Sequence, residues 1–241
     1  MNLDRKDILL YAVTDRSWLR SSSQPGQSSQ AQGTAPQHGQ SSQVQGTESL
    51  YDQAEQALRG GITLLQLREK TLCRRTFLQE AFQIKELCDT YHVPLIINDN
   101  VEIAAAVDAA GVHLGQKDME IGAARAILGP DKIIGISART VEQAILAERQ
   151  SADYLGVGAV FPTGTKQDAE RITKDRLRDI CRSVSIPVAA IGGITAENLT
   201  ELRGSGIDGI AVASAVFAQD NIEEAVRELR RRTEQILGGT T

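Results

Sequence analysis

The chain has 241 residues, of which 41% are hydrophobic and 24% are charged, so it can bury a sizeable core and does not have the composition of a disordered protein. Its formal net charge of -5 argues against the basic surface with which proteins bind a nucleic-acid backbone. Three cysteines without CxxC spacing, Cys73, Cys88 and Cys181, indicate neither a disulfide framework nor a zinc site, and we interpret them as reduced core thiols.

Neither an export signal nor a membrane segment is predicted. Residues 1–7 lack the apolar run of a signal peptide, and no stretch approaches the roughly 20 apolar residues of a membrane span. We therefore expect a cytoplasmic protein without a membrane or nucleic-acid partner, and we leave open whether its copies form a homo-oligomer. The length is compatible with one α/β barrel or with two small domains.

The first predicted strand, at residues 8–14, is followed by a low-complexity segment. Residues 21–47 contain no Asp, Glu, Lys or Arg and are dominated by Gln, Ser and Gly. Such a composition cannot bury enough apolar surface to offset chain entropy, so we expect a disordered loop insert. A flexible tether for a partner is the alternative. Because long surface loops cost little free energy, the insert is compatible with a single domain spanning residues 1–241.

Beyond the insert, short apolar runs alternate with segments of helical periodicity. Further strands are predicted at 62–67, 95–98, 112–114, 133–137, 154–157, 188–191 and 209–213. Helices are predicted at 50–59, 77–91, 103–107, 121–128, 141–148, 174–181 and 222–236. Eight strands alternating with helices are typical of a (β/α)8 TIM barrel with parallel strands. An open doubly wound sheet is the alternative, but no glycine-rich dinucleotide motif follows the first strand.

Polar residue types gather where the predicted strands end, which is the end of such barrels that carries the active site. They are Thr14 and Asp15, the run Gln66–Lys70, Asn98 and Asp99, Gln116 and Asp118, Ser137, then Thr163, Thr165 and Lys166, and finally Gly192, Gly193 and Ser214. We therefore predict an active site at the carboxyl ends of the strands.

The run after the second strand predicts an anion site. Gln66, Arg68 and Lys70 occupy alternate positions of an extended segment, so all three can face the barrel mouth. Two cations beside an amide suit the oxygens of a multiply charged anion. A salt-bridge cluster with Glu69 on the barrel rim explains these residues equally well.

Two aspartates follow neighbouring strands. Asp99 and Asp118 could therefore reach one ion, and Mg²⁺ completed by waters and phosphate oxygens suits so few carboxylate ligands. The competing interpretation is that each aspartate caps the helix that follows it, and for either residue alone this is the more frequent outcome.

The second half of the chain predicts a further anion site. Residues 161–168 form a long polar loop containing Thr163, Gly164, Thr165 and Lys166, which suits a lid with phosphate donors, although an ordinary mobile loop fits as well. Glycines 192 and 193 and the pair Ala213 and Ser214 follow the seventh and eighth strands, where many barrels bind a phosphate. Close packing of a helix against the glycines is the alternative.

The histidines offer no covalent catalytic arrangement. His38 falls in the insert and His92 ends a helix, whereas His113 lies within the fourth strand, where we interpret it as structural. No Ser-His-Asp or Cys-His set can be proposed.

Six ordered motifs carry a resemblance to a known family: YAVTD at 11–15, QLREK at 66–70, NDN at 98–100, GVHLGQKD at 111–118, PTGTK at 162–166 and AIGGI at 190–194. In these the chain resembles thiamine-phosphate synthase over its whole length except the insert. The resemblance implies that 4-amino-5-hydroxymethyl-2-methylpyrimidine diphosphate condenses with a thiazole phosphate to give thiamine monophosphate and pyrophosphate.

The resemblance also implies roles for individual residues. The pyrimidine diphosphate would contact the run from Gln66 through Leu67, Arg68 and Glu69 to Lys70, together with Asn98, Ser137 and Lys166. The metal Mg²⁺ would bind Asp99 and Asp118, and Lys70, Arg68, Lys166 and Ser137 would act in catalysis. The thiazole phosphate would lie against Thr163, Gly164, Thr165, Gly193, Ala213 and Ser214.

The implied chemistry needs no general base. Family members are thought to expel pyrophosphate first and leave a pyrimidine-methyl cation, which the lone pair of the thiazole nitrogen then attacks. Positive groups that neutralise the leaving pyrophosphate would supply the catalysis. Two alternatives remain: a related thiazole tautomerase, against which Gln66, Asn98 and Asp99 argue, and a non-catalytic barrel that binds a phosphorylated thiamine precursor. Whether the preferred thiazole carries a carboxylate is left open.

Overall fold

Eight parallel strands form a closed barrel in which each strand pairs with its neighbours in the sequence and the eighth strand pairs with the first. The computed structural model describes residues 3–19, 49–163 and 171–238. The predicted (β/α)8 barrel is confirmed. The insert at 21–47 lies outside the described residues. The strands are β1 Leu10–Val13, β2 Leu64–Leu67, β3 Leu95–Asn98, β4 Gly111–Leu114, β5 Ile133–Ala138, β6 Tyr154–Gly158, β7 Val188–Ile191 and β8 Gly209–Val212.

Helices cover the outside of the barrel. They are α1 Leu50–Gly60, α2 Arg74–Thr90, α3 Val101–Ala106, α4 Ile121–Leu128, α5 Val141–Arg149, α6 Lys174–Ser183, α7 Ser214–Phe217 and α8 Ile222–Leu237. In the described part of the chain, three short 3-10 helices occur at Arg5–Ile8, Arg16–Trp18 and Leu199–Leu202, and the last of these stands in place of an α-helix after β7. Within the described ranges, no helix combines the length and the apolar character that crossing a membrane requires.

Two predicted strands begin too early. Residue 8 belongs to the first 3-10 helix, so β1 starts at Leu10 rather than at residue 8. The chain leaves α1 through Gly61 in the left-handed region, with φ of 96°, and Thr63 then bonds through its hydroxyl to the backbone of Leu10. This turn occupies residues 61–63, and β2 therefore begins at Leu64 rather than at residue 62.

The alternation of side chains along each strand separates two apolar cores. The outer core lies between strands and helices and takes Leu10, Ala12, Leu65 and Leu67 from β1 and β2. The inner core fills the barrel below the mouth. It consists of Ile8, Tyr11, Val13, Leu64, Ile96, Ile133, Tyr154, Ala189 and Ala211. Successive side chains of a strand face opposite sides of the sheet. A residue two positions after an inner-core residue therefore faces inward again, nearer the barrel mouth.

The cysteine prediction holds only in part. Cys88 is buried and Cys181 is partly buried, and burial raises the pKa of both thiols to about 12, so these two are inert thiols in apolar surroundings. Cys73 is exposed, and its assignment to the core was wrong. It occupies the residue before α2, where its Sγ lies 3.3 Å from the Thr76 hydroxyl.

Candidate active site at the barrel mouth

A cavity opens at the carboxyl ends of the strands, and every strand contributes an inward-facing residue to its wall. The contributions in strand order are Tyr11 and Val13, Gln66 and Arg68, Asn98, His113, Ser137 and Arg139, Gly156 and Gly158, Ile191 and Gly193, and Ala211 and Ala213. Their spacing of two reflects the alternation of an extended chain. The cavity is the feature that brings together the predicted residues Gln66, Arg68, Asn98, Ser137, Thr163, Gly193, Ala213 and Ser214.

Arg68 is held in the cavity wall by the first strand's end. Its backbone N–H donates to the Thr14 hydroxyl at 2.9 Å, and its guanidinium lies 3.3 Å from a carboxylate oxygen of Asp15. The other Asp15 oxygen accepts from the backbone N–H of Ser17 at 3.0 Å. Asp15 is thus fixed, and it orients Arg68 without burying its charge among apolar groups.

Leu67 and Glu69 point the other way. Leu67 belongs to the outer core, and neither residue lines the cavity. Glu69 accepts a hydrogen bond from Nε of Arg16 at 2.8 Å, and the same guanidinium also pairs with Glu80. The substrate contacts predicted for the Leu67 and Glu69 side chains are therefore not supported by their placement, and for Glu69 the alternative of a rim salt-bridge cluster fits.

The cluster of Arg16, Glu69 and Glu80 contains two carboxyl groups but one cation, so Arg16 can balance the charge of only one of them. Burial raises the pKa of Glu69, and the charge of Glu80 raises it further, while Arg16 opposes both. Oε2 of Glu69 and Oε1 of Glu80 are buried and have no hydrogen-bond partner. A shared proton between two facing carboxyl groups is the usual result of such crowding.

Asp99, Asp118 and Lys70 meet at the rim above the cavity. Lys70 forms an ion pair with Asp99, and Asp118 interacts with the Asp99 carboxyl while accepting the backbone N–H of Gly115 at 2.7 Å. Neither aspartate caps a helix: Asn100 precedes α3, where its side-chain oxygen accepts from the backbone N–H of Ile103, and Glu120 precedes α4. The helix-cap alternative is therefore wrong for both.

The electrostatics of this pair suit a cation. Burial raises the pKa of Asp99, but hydrogen bonds involving Lys70 and Asp118 outweigh burial and the pKa falls. Burial and the neighbouring Asp99 raise the pKa of Asp118. Two neighbouring carboxyl groups whose pKa values are displaced in opposite directions compete for one positive partner. The described residues contain no group of three or more His, Cys, Asp or Glu placed for a metal. Two carboxylates are a ligand set that Mg²⁺ completes with waters and phosphate oxygens.

The loop after β6 reaches the cavity through Thr163, which lies in its wall. Gly164, Thr165 and Lys166 fall outside the described residues, so their predicted substrate contacts stay predictions.

Glycines 192 and 193 are required by close backbone approach. Both have positive φ, 98° and 64°. A Cβ on Gly193 would lie 2.2 Å from the carbonyl oxygen of Pro162, and one on Gly192 would lie 2.6 Å from Cβ of Ala159. The glycines thus pack against the loop after β6 rather than against a helix. The alternative of helix packing is wrong, and Ala159, which Gly192 contacts, lies in the cavity wall.

The floor of the cavity is a polar cluster that sequence reasoning missed. Tyr11 and Tyr154 hydroxyls lie 2.8 Å apart, and the Tyr154 hydroxyl lies 3.0 Å from Nδ1 of His113. Nε2 of His113 lies 3.0 Å from the Ser137 hydroxyl. A Cβ at Gly135 would lie 2.0 Å from Cζ of Tyr154, so this glycine makes room for the ring inside the barrel.

Arg139 is a second residue that the sequence reading missed. It lines the cavity two positions after Ser137, and its backbone N–H is fixed by the Gln143 side chain at 2.8 Å. Among the described parts of the chain its guanidinium has no ion-pair partner. The spacing of two from Ser137 was the available signal, since alternate residues of an extended segment share a face.

Comparison with known proteins identifies the family. The model of the thiamine monophosphate synthase family matches residues 40–216. A thiamine-phosphate synthase from Ruminiclostridium cellulolyticum is 53% identical over 175 residues, which is 73% of this chain and 83% of that protein. One from Clostridium botulinum is 47% identical over 182 residues, covering 76% of this chain and 85% of the relative.

Solved structures agree. The thiamine phosphate pyrophosphorylase from Pyrococcus furiosus superposes with a TM-score of 0.80 at 37% identity, covering 97% of this chain and 99% of its own. KGPDC from Streptococcus mutans superposes with a TM-score of 0.60 at 10% identity over 95% of this chain and 99% of its own, which is a likeness of fold alone.

Proposed function

The chain belongs to the thiamine monophosphate synthase family, and from that premise we propose how its barrel mouth carries out the reaction. It is a transferase of thiamine biosynthesis that acts as a thiamine-phosphate synthase. In our proposal it joins 4-amino-5-hydroxymethyl-2-methylpyrimidine diphosphate to a thiazole phosphate and releases pyrophosphate. The observation that carries the proposal is the cavity at the barrel mouth into which all eight strands direct residues, with an acidic pair on its rim.

The pyrimidine diphosphate occupies the side of the cavity formed by β2 to β5. Gln66 and Asn98 offer amide donors and acceptors to the pyrimidine ring and the diphosphate, and Ser137 offers a hydroxyl. Arg68 faces the same space, and Lys70 stands at the rim. This placement supports a ligand with a neutral hydrogen-bonding ring and a strongly negative tail.

Asp99 and Asp118 would hold Mg²⁺. When bound, the ion supplies positive charge to the leaving diphosphate oxygens. The fit rests on the shared environment of the two carboxyl groups, whose pKa values are displaced in opposite directions, Asp99 downward and Asp118 upward. Lys70, which pairs with Asp99, would turn to the diphosphate once that aspartate has another partner.

The thiazole phosphate occupies the side formed by β6 to β8. Thr163, Gly193, Ala213 and Ser214 meet there, and Gly192 and Gly193 bring backbone without side chains of their own to the cavity wall. Backbone N–H groups in such turns and at the start of a short helix after β8 are a frequent phosphate site in these barrels. Gly164, Thr165 and Lys166 complete the site in our proposal.

The residues present support a dissociative reaction. The thiazole nitrogen attacks through a lone pair and needs no deprotonation, and the cavity wall holds no carboxylate of the described residues that could act as a base. Arg68, Lys70, Ser137 and Lys166 would stabilise the charge that develops on the departing pyrophosphate.

The test is pyrophosphate release by the purified full-length chain. Release that requires both substrates and Mg²⁺, with thiamine monophosphate as the product, is the expected result. Isomerisation of a thiazole phosphate without the diphosphate would instead identify a tautomerase. Binding of the phosphates without turnover would identify a binding barrel and would contradict the proposal.

A further inference from the structure

Arg68 is a cation of the cavity wall whose position depends on contacts outside the sheet. Strand β2 ends at Leu67, so Arg68 lies beyond the ladder of backbone bonds that holds the strand. Its N–H donates to the Thr14 hydroxyl at 2.9 Å, and within the part of the chain that the structure describes no backbone–backbone hydrogen bond holds residues 69 and 70. The direction of its guanidinium is therefore set by side chains.

Two ion pairs join the residues after β1 to the residues after β2. Asp15 pairs with Arg68 at 3.3 Å, and Arg16 pairs with Glu69 at 2.8 Å. The pairs lie on opposite sides of the chain, because consecutive residues of an extended segment face opposite ways. Arg68 lines the cavity, whereas neither Arg16 nor Glu69 does. An anionic ligand in the cavity can therefore displace Asp15 from Arg68 without reaching the outer pair.

Arg16 is fixed from two directions. Its Nε donates to Glu69, whose side chain is 1% exposed, and a terminal nitrogen pairs with Glu80 of α2. It is also the first residue of the 3-10 helix that Asp15 caps. Arg16 thus reaches Arg68 by two routes. Glu69, which it holds, directly follows Arg68, and Asp15, which precedes it, is the partner of Arg68.

The cluster of Arg16, Glu69 and Glu80 is poorly suited to stabilising the fold. Oε2 of Glu69 and Oε1 of Glu80 are buried without a hydrogen-bond partner, and one guanidinium serves both carboxyl groups. Buried ion pairs often contribute little to stability, because desolvation offsets their attraction, and apolar side chains can fill the same space as well. What a guanidinium and a carboxylate supply in addition is a fixed mutual orientation.

We propose that Arg16 is a positioning residue of the reaction, which holds the Arg68 guanidinium toward the diphosphate from outside the cavity. Arg68 must stay aligned when the ligand takes the place of Asp15, and the outer pair with Glu69 is a contact that remains at that point. A displacement of about 1 Å can cost about a hundredfold in rate, so such an anchor affects turnover. The inference rests on the proposed function for the identity of the anion.

The functional test is Arg16→Ala, which removes the anchor and leaves every cavity-lining side chain in place. We expect kcat/KM for the pyrimidine diphosphate to fall about tenfold to a hundredfold, because Arg68 loses its alignment. The KM for the thiazole phosphate should not change. Arg16→Lys, which keeps a cation beside Glu69, should show a smaller loss of the same kind, and it carries the test if Arg16→Ala does not fold.

The specific readout is the dependence of the loss on Arg68. In an Arg68→Ala background, Arg16→Ala should cost almost no further activity, because the group that it positions is absent. The fall in melting temperature should be the same in both backgrounds, since the contacts with Glu69 and Glu80 are lost in either. Equal kinetic losses with and without Arg68 would show a general structural role and would overturn the proposal.

Arg125→Ala is the matched control. Arg125 forms an ion pair with Asp153 at 2.8 Å, and its side chain is 23% exposed against 35% for Arg16. Asp153 precedes β6, so this pair lies at the amino ends of the strands, away from the cavity. The variant should lower the melting temperature and leave the kinetic constants unchanged. If it lowers kcat/KM as Arg16→Ala does, destabilisation alone accounts for the loss and the proposal fails.

Binding of inorganic pyrophosphate in the presence of Mg²⁺ separates this inference from the proposed function, because it needs no turnover. We expect calorimetric titration to show an affinity about tenfold lower for Arg16→Ala than for the unaltered full-length chain. Equal affinities would overturn the inference alone. The expected loss of affinity without formation of thiamine monophosphate by the unaltered chain would contradict the proposed function alone. An unaltered chain that binds no pyrophosphate would overturn both.

Discussion

The two sides of the barrel mouth are built by different means. The β2 to β5 side presents side chains whose charges are already balanced by neighbours, Arg68 by Asp15 and Lys70 by Asp99. The β7 side presents the backbone of two glycines of positive φ, which pack against the loop after β6. Paired charges can be redirected to a substrate as it arrives and departs, whereas a backbone turn packed against a neighbouring loop would hold one anion in a fixed place. Leaving-group chemistry fits the first side and substrate positioning the second.

The largest expected effect is on the charged side. Asp99→Asn should lower kcat by about 10²-fold to 10³-fold, because one of the two proposed Mg²⁺ ligands and the partner of Lys70 are lost together. Pyrophosphate release measured over a range of Mg²⁺ concentrations checks this. Asp108→Asn is a close control, since Asp108 also has positive φ, 53° against 60°, and also pairs with a lysine, but away from the mouth. Near-normal turnover of Asp99→Asn would contradict the metal role.

Arg139→Ala tests which side of the mouth the Arg139 guanidinium serves. We expect KM for the pyrimidine diphosphate to rise about tenfold to a hundredfold, because Arg139 lies two residues from Ser137 and has no partner among the described residues that competes for it. Arg203→Ala, at an exposed surface position, should leave the kinetics unchanged. A rise confined to the KM for the thiazole phosphate would place Arg139 on the opposite side and redraw the boundary between the two.

Gly193→Ala tests the backbone side. The new Cβ would meet the Pro162 carbonyl at 2.2 Å, so the turn must shift, and KM for the thiazole phosphate should rise about tenfold. Gly204→Ala separates the cost of a side chain at positive φ from the cost of the clash, because Gly204 has a similar φ of 71° but nothing within 4 Å of a Cβ. The control should lose about 1 kcal/mol of stability without any kinetic change. Equal effects on both substrates would break the division into sides.

The smallest expected effect is on stability, from a substitution at Glu69, which lies outside the cavity. Since the folded-state pKa of Glu69 is raised, its protonated form is favoured, and this stabilisation is present at low pH and lost as pH rises through that pKa. Glu69→Gln keeps an acceptor for Arg16 and adds a donor for the unpartnered Glu80 oxygen. Its melting temperature should therefore exceed that of the unaltered protein increasingly from pH 4 to pH 8.

The opposite sign is expected for Asp52→Asn. Hydrogen bonds from Ser49 lower the pKa of Asp52, so the stabilisation it provides is present above its unfolded pKa and lost as pH falls. This variant should be less stable at pH 8 and approach the unaltered protein near pH 3. Parallel pH trends for the two variants would contradict the assignment of Glu69.

Much of the site could be predicted because strand alternation is local. The spacing of Gln66, Arg68 and Asn98 relative to apolar neighbours indicates which residues face inward once the number of strands is known. The aspartates were also recognisable, although helix capping competed with metal binding until Asn100 and Glu120 were seen in the cap positions. Local pattern could not decide between these, since both uses place an aspartate after a strand.

The sequence by itself determined the barrel, because the spacing of apolar residues shows the period of two residues typical of strands and the period of 3.6 typical of helices. It also determined the family, through motifs that recur in order. Only the tertiary structure decided that Glu69 turns outward to Arg16, and that Tyr11, Tyr154 and His113 join beneath Ser137. These contacts link residues 41 to 143 positions apart, and closing the barrel is what brings them within hydrogen-bonding distance.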